Sequence, residues 1–128
     1  TSLAFAAILE DGSVVAWGDV DYGGSISPVQ EDLRSVQHIQ ATSGAFAAIL
    51  GTGSVVTWGH PASGGDSRSV KEQLRHVQQI QATDRAFAAI LEDGSVVTWG
   101  DPDIGGDSSA VQGQLRNVLQ IQANGGGF

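Results

Sequence analysis

Residues 86–100 read AFAAILEDGSVVTWG, an apolar run, a Glu-Asp-Gly turn and a second apolar run that ends in Trp-Gly. Each run is too short for an ordinary helix. Val96, Val97, Thr98 and Trp99 favour strands, and Gly94 is free to take the positive φ of a tight turn. Two such runs around such a turn predict a β-hairpin. Side chains alternate along a strand, so Phe87, Ala89 and Leu91 share one face and Ala86, Ala88 and Ile90 the other. Both faces are apolar, which predicts that both are covered. The small alanines let neighbouring sheets approach closely.

The stretch recurs at 45–59 as AFAAILGTGSVVTWG and at 4–18 as AFAAILEDGSVVAWG, a period of 41 residues. Between the second and third copies 28 of 41 positions are identical, and 22 are identical in all three. Each copy therefore solves the same packing problem, which is the signature of a repeat architecture. The chain reads as one repeat domain over 1–128, with repeats 1–41, 42–82 and 83–123, and 124–128 starting a fourth.

Around the hairpin each copy has three further pieces. Residues 39–42, 80–83 and 121–124 are short strand candidates ahead of the hairpin. A loop after it ends in Gly-Gly, at Gly23-Gly24, Gly64-Gly65 and Gly105-Gly106. Then the period changes: Val29, Leu33 and Val36 are spaced i, i+4, i+7, as are Val70, Leu74, Val77 and Val111, Leu115, Val118. That spacing predicts a short helix of about two turns. Ser27 with Gln30, and Ser109 with Gln112, fit capping boxes. Pro28 fits a first helical turn, and Gly113 would weaken the third helix. The predicted class is mainly β with short helices, each repeat holding about three antiparallel strands plus a short helix. Periodicity alone leaves β-propeller-like blades and an open β-solenoid-type stack as alternatives.

The chain has 128 residues, no Cys, no Met and a formal charge of −8. Structural disulfides and thiolate metal sites are excluded, and the compartment is left open. The charge is uneven: −5 in the first repeat, +1 in the second and −4 in the third. An acidic chain without a basic cluster is unsuited to the phosphate backbone of nucleic acid. Its apolar runs are too short to span a bilayer as helices.

The pattern VxxIxAxxxAFAAILEDGSVVTWGxxxxGG resembles the repeat of the regulator of chromosome condensation family. Asp11-Gly12, Trp17-Gly18 and Gly23-Gly24 carry the resemblance, with Gly53, Trp58-Gly59 and Gly64-Gly65, and with Asp93-Gly94, Trp99-Gly100 and Gly105-Gly106. It covers the whole chain three times over. It implies one β-propeller blade per repeat and a platform for binding proteins. Two departures stand out: a period shorter than the family's, and a helical segment where a full outer strand is usual. Members include a nucleotide-exchange factor for a small GTPase and giant HECT-type ubiquitin ligases. No HECT segment lies in these residues, and no exchange-factor contact can be placed on them.

Other constellations are set against structural readings. Asp101, Asp103 and Asp107 could offer oxygen ligands to Ca²⁺. The first copy keeps Asp19 and Asp21 but has Ser25, and the second has His60 and Ala62, so the set is read as loop solvation. Ser108, in GGDSS, needs a base, and His38, His60 and His76 fall at unmatched places. Trp17, Trp58 and Trp99, with Phe5, Phe46 and Phe87, are read as repeat core. Gly12, Gly23, Gly24, Gly53, Gly64, Gly65, Gly94, Gly105 and Gly106 are read as turn residues. Arg34, Arg75 and Arg116 suit helix ends, and Gln40, Gln81 and Gln122 offer hydrogen bonds between repeats.

These readings predict a non-catalytic structural or protein-interaction module with no metal and no cofactor. Its expected partner is protein, through self-association or a larger assembly, with no nucleic acid and no membrane insertion. The alternatives are a lectin-like propeller that binds ligands through its Gly-Gly loops, and a fragment of an exchange factor or ubiquitin ligase. Neither end repeat loses its apolar positions. The expectation is that the segment is an excerpt of a longer array, or that the end of one copy covers the start of another.

Overall fold

The computed structural model describes residues 1–125. Its regular structure is three hairpins, at β1 (Ala4–Ile8) with β2 (Val14–Gly18), β4 (Ala45–Leu50) with β5 (Val55–Gly59), and β7 (Ala86–Leu91) with β8 (Val96–Gly100). Two further strands, β3 (Val36–Ala41) and β6 (Val77–Ala82), pair antiparallel with the second and third hairpins. The result is one sheet of two strands and two of three, ordered β3-β4-β5 and β6-β7-β8. Register is the same throughout: Phe5 faces Trp17, Phe46 faces Trp58 and Phe87 faces Trp99. The paired rings sit 5.4, 5.3 and 5.2 Å apart between centroids.

The hairpin turns follow from local chemistry. Gly94 donates its N–H to the Leu91 carbonyl at 3.0 Å and takes φ +82°, where an L side chain is strained. Asp93 accepts hydrogen bonds from the Ser95 amide and hydroxyl, which closes the turn. Gly12 and Gly53 take the same conformation in their copies, at +83° and +84°.

Sheets stack face to face, and the alternation of side chains decides how. Ala4 and Ala6 of the first sheet pack against Phe46, Ala48 and Leu50 of the second. Ala45, Ala47 and Ile49 of the second pack against Phe87, Ala89 and Leu91 of the third. One face of each sheet thus meets the opposite face of the next. The alanines at these seams are fully buried in the second and third sheets, which allows the close approach expected of small side chains. Backbone bonds step across the repeats at the same spacing: Ser2 N–H to Ser43 O at 2.8 Å, Ser43 N–H to Asp84 O at 2.7 Å, and Asp84 N–H to Gly125 O at 3.0 Å.

The helical segments are 3₁₀ turns, at Ser27–Val29, Arg68–Gln73 and Gln112–Gln114. Leu33 and Leu74 are buried as the spacing suggested, but Val36 and Val77 open the next strand instead of continuing a helix. The reason is backbone geometry: Ser35, His76 and Asn117 take φ +53°, +55° and +54°, which ends any right-handed turn. Each of the two reversals that precede a strand sits against a hairpin glycine, with Val36 N–H bonded to Gly12 O and Val77 N–H to Gly53 O, both at 2.9 Å. The capping boxes do not form: none of these three turns has a side-chain cap hydrogen bond. Ser25, Asp66 and Asp107 accept from the amides of Ser27, Arg68 and Ser109. The strand candidate at 121–124 forms only an isolated bridge at Asn124.

Candidate protein-interaction interface

Each seam is built from one repeat's Gly-Gly loop and the next repeat's Phe–Trp pair. Trp58 Nε1 donates to the Gly23 carbonyl at 3.2 Å, and Trp99 Nε1 donates to the Gly64 carbonyl at 3.1 Å. Burying an indole this way satisfies its single donor. The first glycine of each pair must lack a side chain. A Cβ on Gly23 would lie 2.6 Å from Phe46 Cδ2, and one on Gly64 would lie 2.5 Å from Phe87 Cδ2. The second glycine serves its own repeat: a Cβ on Gly24, Gly65 or Gly106 would meet the carbonyl oxygen of Gly18, Gly59 or Gly100 at 2.3 to 2.4 Å.

A buried threonine fastens the second and third loops. Thr42 Oγ1 donates to Ser63 O at 2.7 Å and accepts from Ala45 N–H at 3.0 Å. Thr83 Oγ1 does the same with Ile104 O at 2.9 Å and Ala86 N–H at 3.1 Å. Sequence reasoning passed over these residues, although Thr stands at this position in all three copies.

The six Phe and Trp residues of the hairpins fall into two groups. Phe46, Trp58, Phe87 and Trp99 are at most 4% exposed, whereas Phe5 is 66% and Trp17 51% exposed. The expectation that all six are core therefore does not hold for Phe5 and Trp17. Their own hairpin is intact, and among the described residues no other sheet packs on this face of it. Leu9 and Val15 are exposed on the same hairpin, so an apolar face stands open at the start of the stack. The free edge of β1 lies beside it, because β1 pairs with β2 alone.

The polar candidates are engaged in turns. Asp101 accepts from Asp103 N–H at 2.9 Å and lies 3.4 Å from an Arg85 nitrogen. Asp107 accepts from the Ser109 amide, and the Ser109 side chain, followed by that amide, holds its carboxyl below the usual range. Asp66 is lowered to about 2, chiefly by its hydrogen bonds from Arg68. Among the described residues, no three His, Asp or Glu side chains are grouped to hold a metal ion. Ser108 Oγ bonds to Thr98 Oγ1 at 2.8 Å and to Gln112 Nε2 at 2.8 Å, with no imidazole as partner. His60 stacks on Tyr22 at 5.7 Å, bridging the loops of the first two repeats. Gln40 and Gln122 are exposed, and side-chain bonds across the seams include those of the two tryptophans and that of Ser43 Oγ, which donates to Asp84 O at 2.7 Å. A groove of about 950 Å³ runs beside β5, lined by Pro28, Val29, Val55, Thr57, Arg68 and Lys71 among others, and no histidine reaches it.

No protein-family profile matches the chain, and no curated protein does. Solved structures do. Prp20p from Saccharomyces cerevisiae, described with its binding to Gsp1p and histones, superposes with a TM-score of 0.59 at 16% identity, over 81% of this chain and 30% of that one. Yeast RCC1 (Prp20) bound to Kap60 gives 0.61 at 16% identity, over 94% of this chain and 34% of that one. Human WBSCR16 gives 0.53 at 18% identity, over 95% and 36%. The chain spans about a third of the length of each. At these identities the likeness is one of architecture. The sheets, their seams and these superpositions agree: the chain has the fold of RCC1-type repeats, small antiparallel sheets set side by side as β-propeller blades.

Proposed function

We propose that this chain is a non-catalytic repeat module that works through protein contact, with its blades belonging to a larger array or assembly. The observation that carries the reading is the open face of Phe5 and Trp17. The same two positions are buried at both internal seams, so this surface is complementary to the end of another blade. Prp20p, which shares the fold, is described in complexes and binding studies with Gsp1p, histones and Kap60, which is consistent with protein partners. The lectin-like alternative has less support. Gly23 and Gly64 are buried against Phe46 and Phe87, so these loops are spent on the seams.

A head-to-tail contact between unlike surfaces closes into a ring when its rotation allows, and otherwise runs on as a filament. Sedimentation of the 128-residue chain at micromolar concentration tests the reading. The expected result is association that weakens in a Phe5→Ser/Trp17→Ser variant. A cooperatively folded monomer, unaltered by that double substitution, contradicts it.

A further inference from the structure

We propose that the groove beside β5 takes an extended peptide of alternating basic and apolar residues, added as a further strand to the second sheet. The site lies between the first two repeats, apart from the Phe5–Trp17 face, and holds whether or not blades associate.

β5 is the outer strand of its sheet and pairs with β4 alone. Leu50 N–H bonds to Ser54 O and His60 N–H to Gly44 O, with Ile49 opposite Val55. Bonded pairs alternate along an antiparallel ladder. Val56 and Trp58 therefore bond back to β4, while Val55 and Thr57 turn their N–H and C=O groups outward. Both residues line the groove of about 950 Å³. An open strand edge of this kind recruits an extended chain through main-chain hydrogen bonds.

The third repeat has the same edge closed. Gln112, the counterpart of Lys71, donates from Nε2 to Val96 O at 3.2 Å and to Ser108 Oγ at 2.8 Å. Val96 is the counterpart of Val55. The matching groove along β8 is divided into hollows of about 600 and 380 Å³. In the second repeat Lys71 is exposed, and among the described residues no side chain covers the Val55 carbonyl.

Charge names the occupant. Asp21 and Asp32 line the groove from the first repeat and enter no ion pair among the described residues. Their second-repeat counterparts, Ala62 and Gln73, leave the matching wall at β8 without those charges. The wall from the second repeat holds Lys71 and Arg68, the latter paired with Asp66 at 2.8 Å. An added strand sends alternate side chains to the two faces of the sheet. Val56 packs toward the first repeat and Val55 toward the third. On the first-repeat side, basic residues lay their stems over Pro28 and Val29 and bring their heads to the two aspartates. On the other side, apolar residues avoid the repulsion that a cation would meet from Lys71. A second copy's β5 reads VVTWG and brings no cation to the aspartates, so the occupant is a different segment.

The test is fluorescence anisotropy of the full chain with a short, end-blocked, labelled peptide of alternating lysine and valine. Saturable binding is expected. Lys71→Ala and Lys71→Gln remove the same charge, but only glutamine brings the amide that closes the β8 edge, and glutamine stands at this position in both other copies. Lys71→Gln is therefore expected to bind about two- to tenfold more weakly than Lys71→Ala, the scale of one hydrogen bond. Asp21→Asn with Asp32→Asn is expected to weaken binding about two- to tenfold. In hydrogen exchange the peptide should slow the Val55 and Thr57 amides and leave those of Val96 and Thr98 unchanged. Absence of binding, equal affinity of the two Lys71 variants, indifference to the aspartates, equal binding of a glutamate–valine peptide, or protection on another strand instead overturns the proposal.

Discussion

Trp58→Ala is expected to destabilise the fold by about 3–5 kcal/mol, the range for deleting a large buried aromatic side chain. The upper part of the range applies. Trp58 is 3% exposed and stacks on Phe46, and its indole occupies the Gly23 carbonyl. Removing it opens a cavity at the first seam and leaves that buried carbonyl unpaired. Trp17→Ala is the matched comparison, with the same strand position, register and aromatic neighbour. Half of its surface is already in water, so the cost to the isolated chain is small and the loss falls on association. Urea unfolding of dilute protein measures both. Equal destabilisation by the two substitutions would contradict the account of the seams.

Gly64→Ala is expected to cost about 2–5 kcal/mol, combining about 1–2 for a left-handed backbone with about 1–3 for overpacking. Gly64 holds φ +102°, and the added Cβ would stand 2.5 Å from the Phe87 ring. Phe87 is fully buried and cannot swing away without disturbing Trp99. Gly113→Ala is the control. Nothing lies within 4 Å of its Cβ position, so that change leaves stability level or slightly raised. The same urea unfolding assay separates the two, and a Gly64→Ala protein as stable as the parent would show that the loop does not bear on the ring.

Much of this was legible in the sequence because three copies repeat the same solution. The hairpins, their turn glycines and the apolar character of both faces followed from residue type and alternation. What the sequence left open is which contacts cross from one copy to the next. The Gly-Gly pair looked like turn chemistry, and its first glycine does take a turn conformation. Its other constraint, a partner ring from 23 residues further on, has no local signature. The short helices are 3₁₀ turns, tighter and shorter than their spacing suggests, for a related reason. Val29, Leu33 and Val36 are spaced like a helical face, but Leu33 covers the seam and Val36 starts a strand. The reversal after each leucine sits at Ser35, His76 and Asn117; His and Asn adopt positive φ more readily than most residues, but Ser35 gives little warning of it. Likewise, identical residues at Trp17 and Trp58 differ in burial because burial here depends on the neighbouring repeat.

The central claim is that one surface, a Phe–Trp pair capped by a Gly-Gly carbonyl, joins blades within the chain and stands open at its first blade. Hydrogen exchange of the three indole N–H groups, followed by NMR as protein concentration rises, tests it most directly. A Trp17→Phe variant assigns the odd resonance. The account predicts slow exchange for Trp58 and Trp99 at every concentration, and for Trp17 fast exchange when dilute that slows as copies meet. Fast exchange at Trp58 or Trp99 in the folded chain, or a Trp17 indole indifferent to concentration, would contradict it.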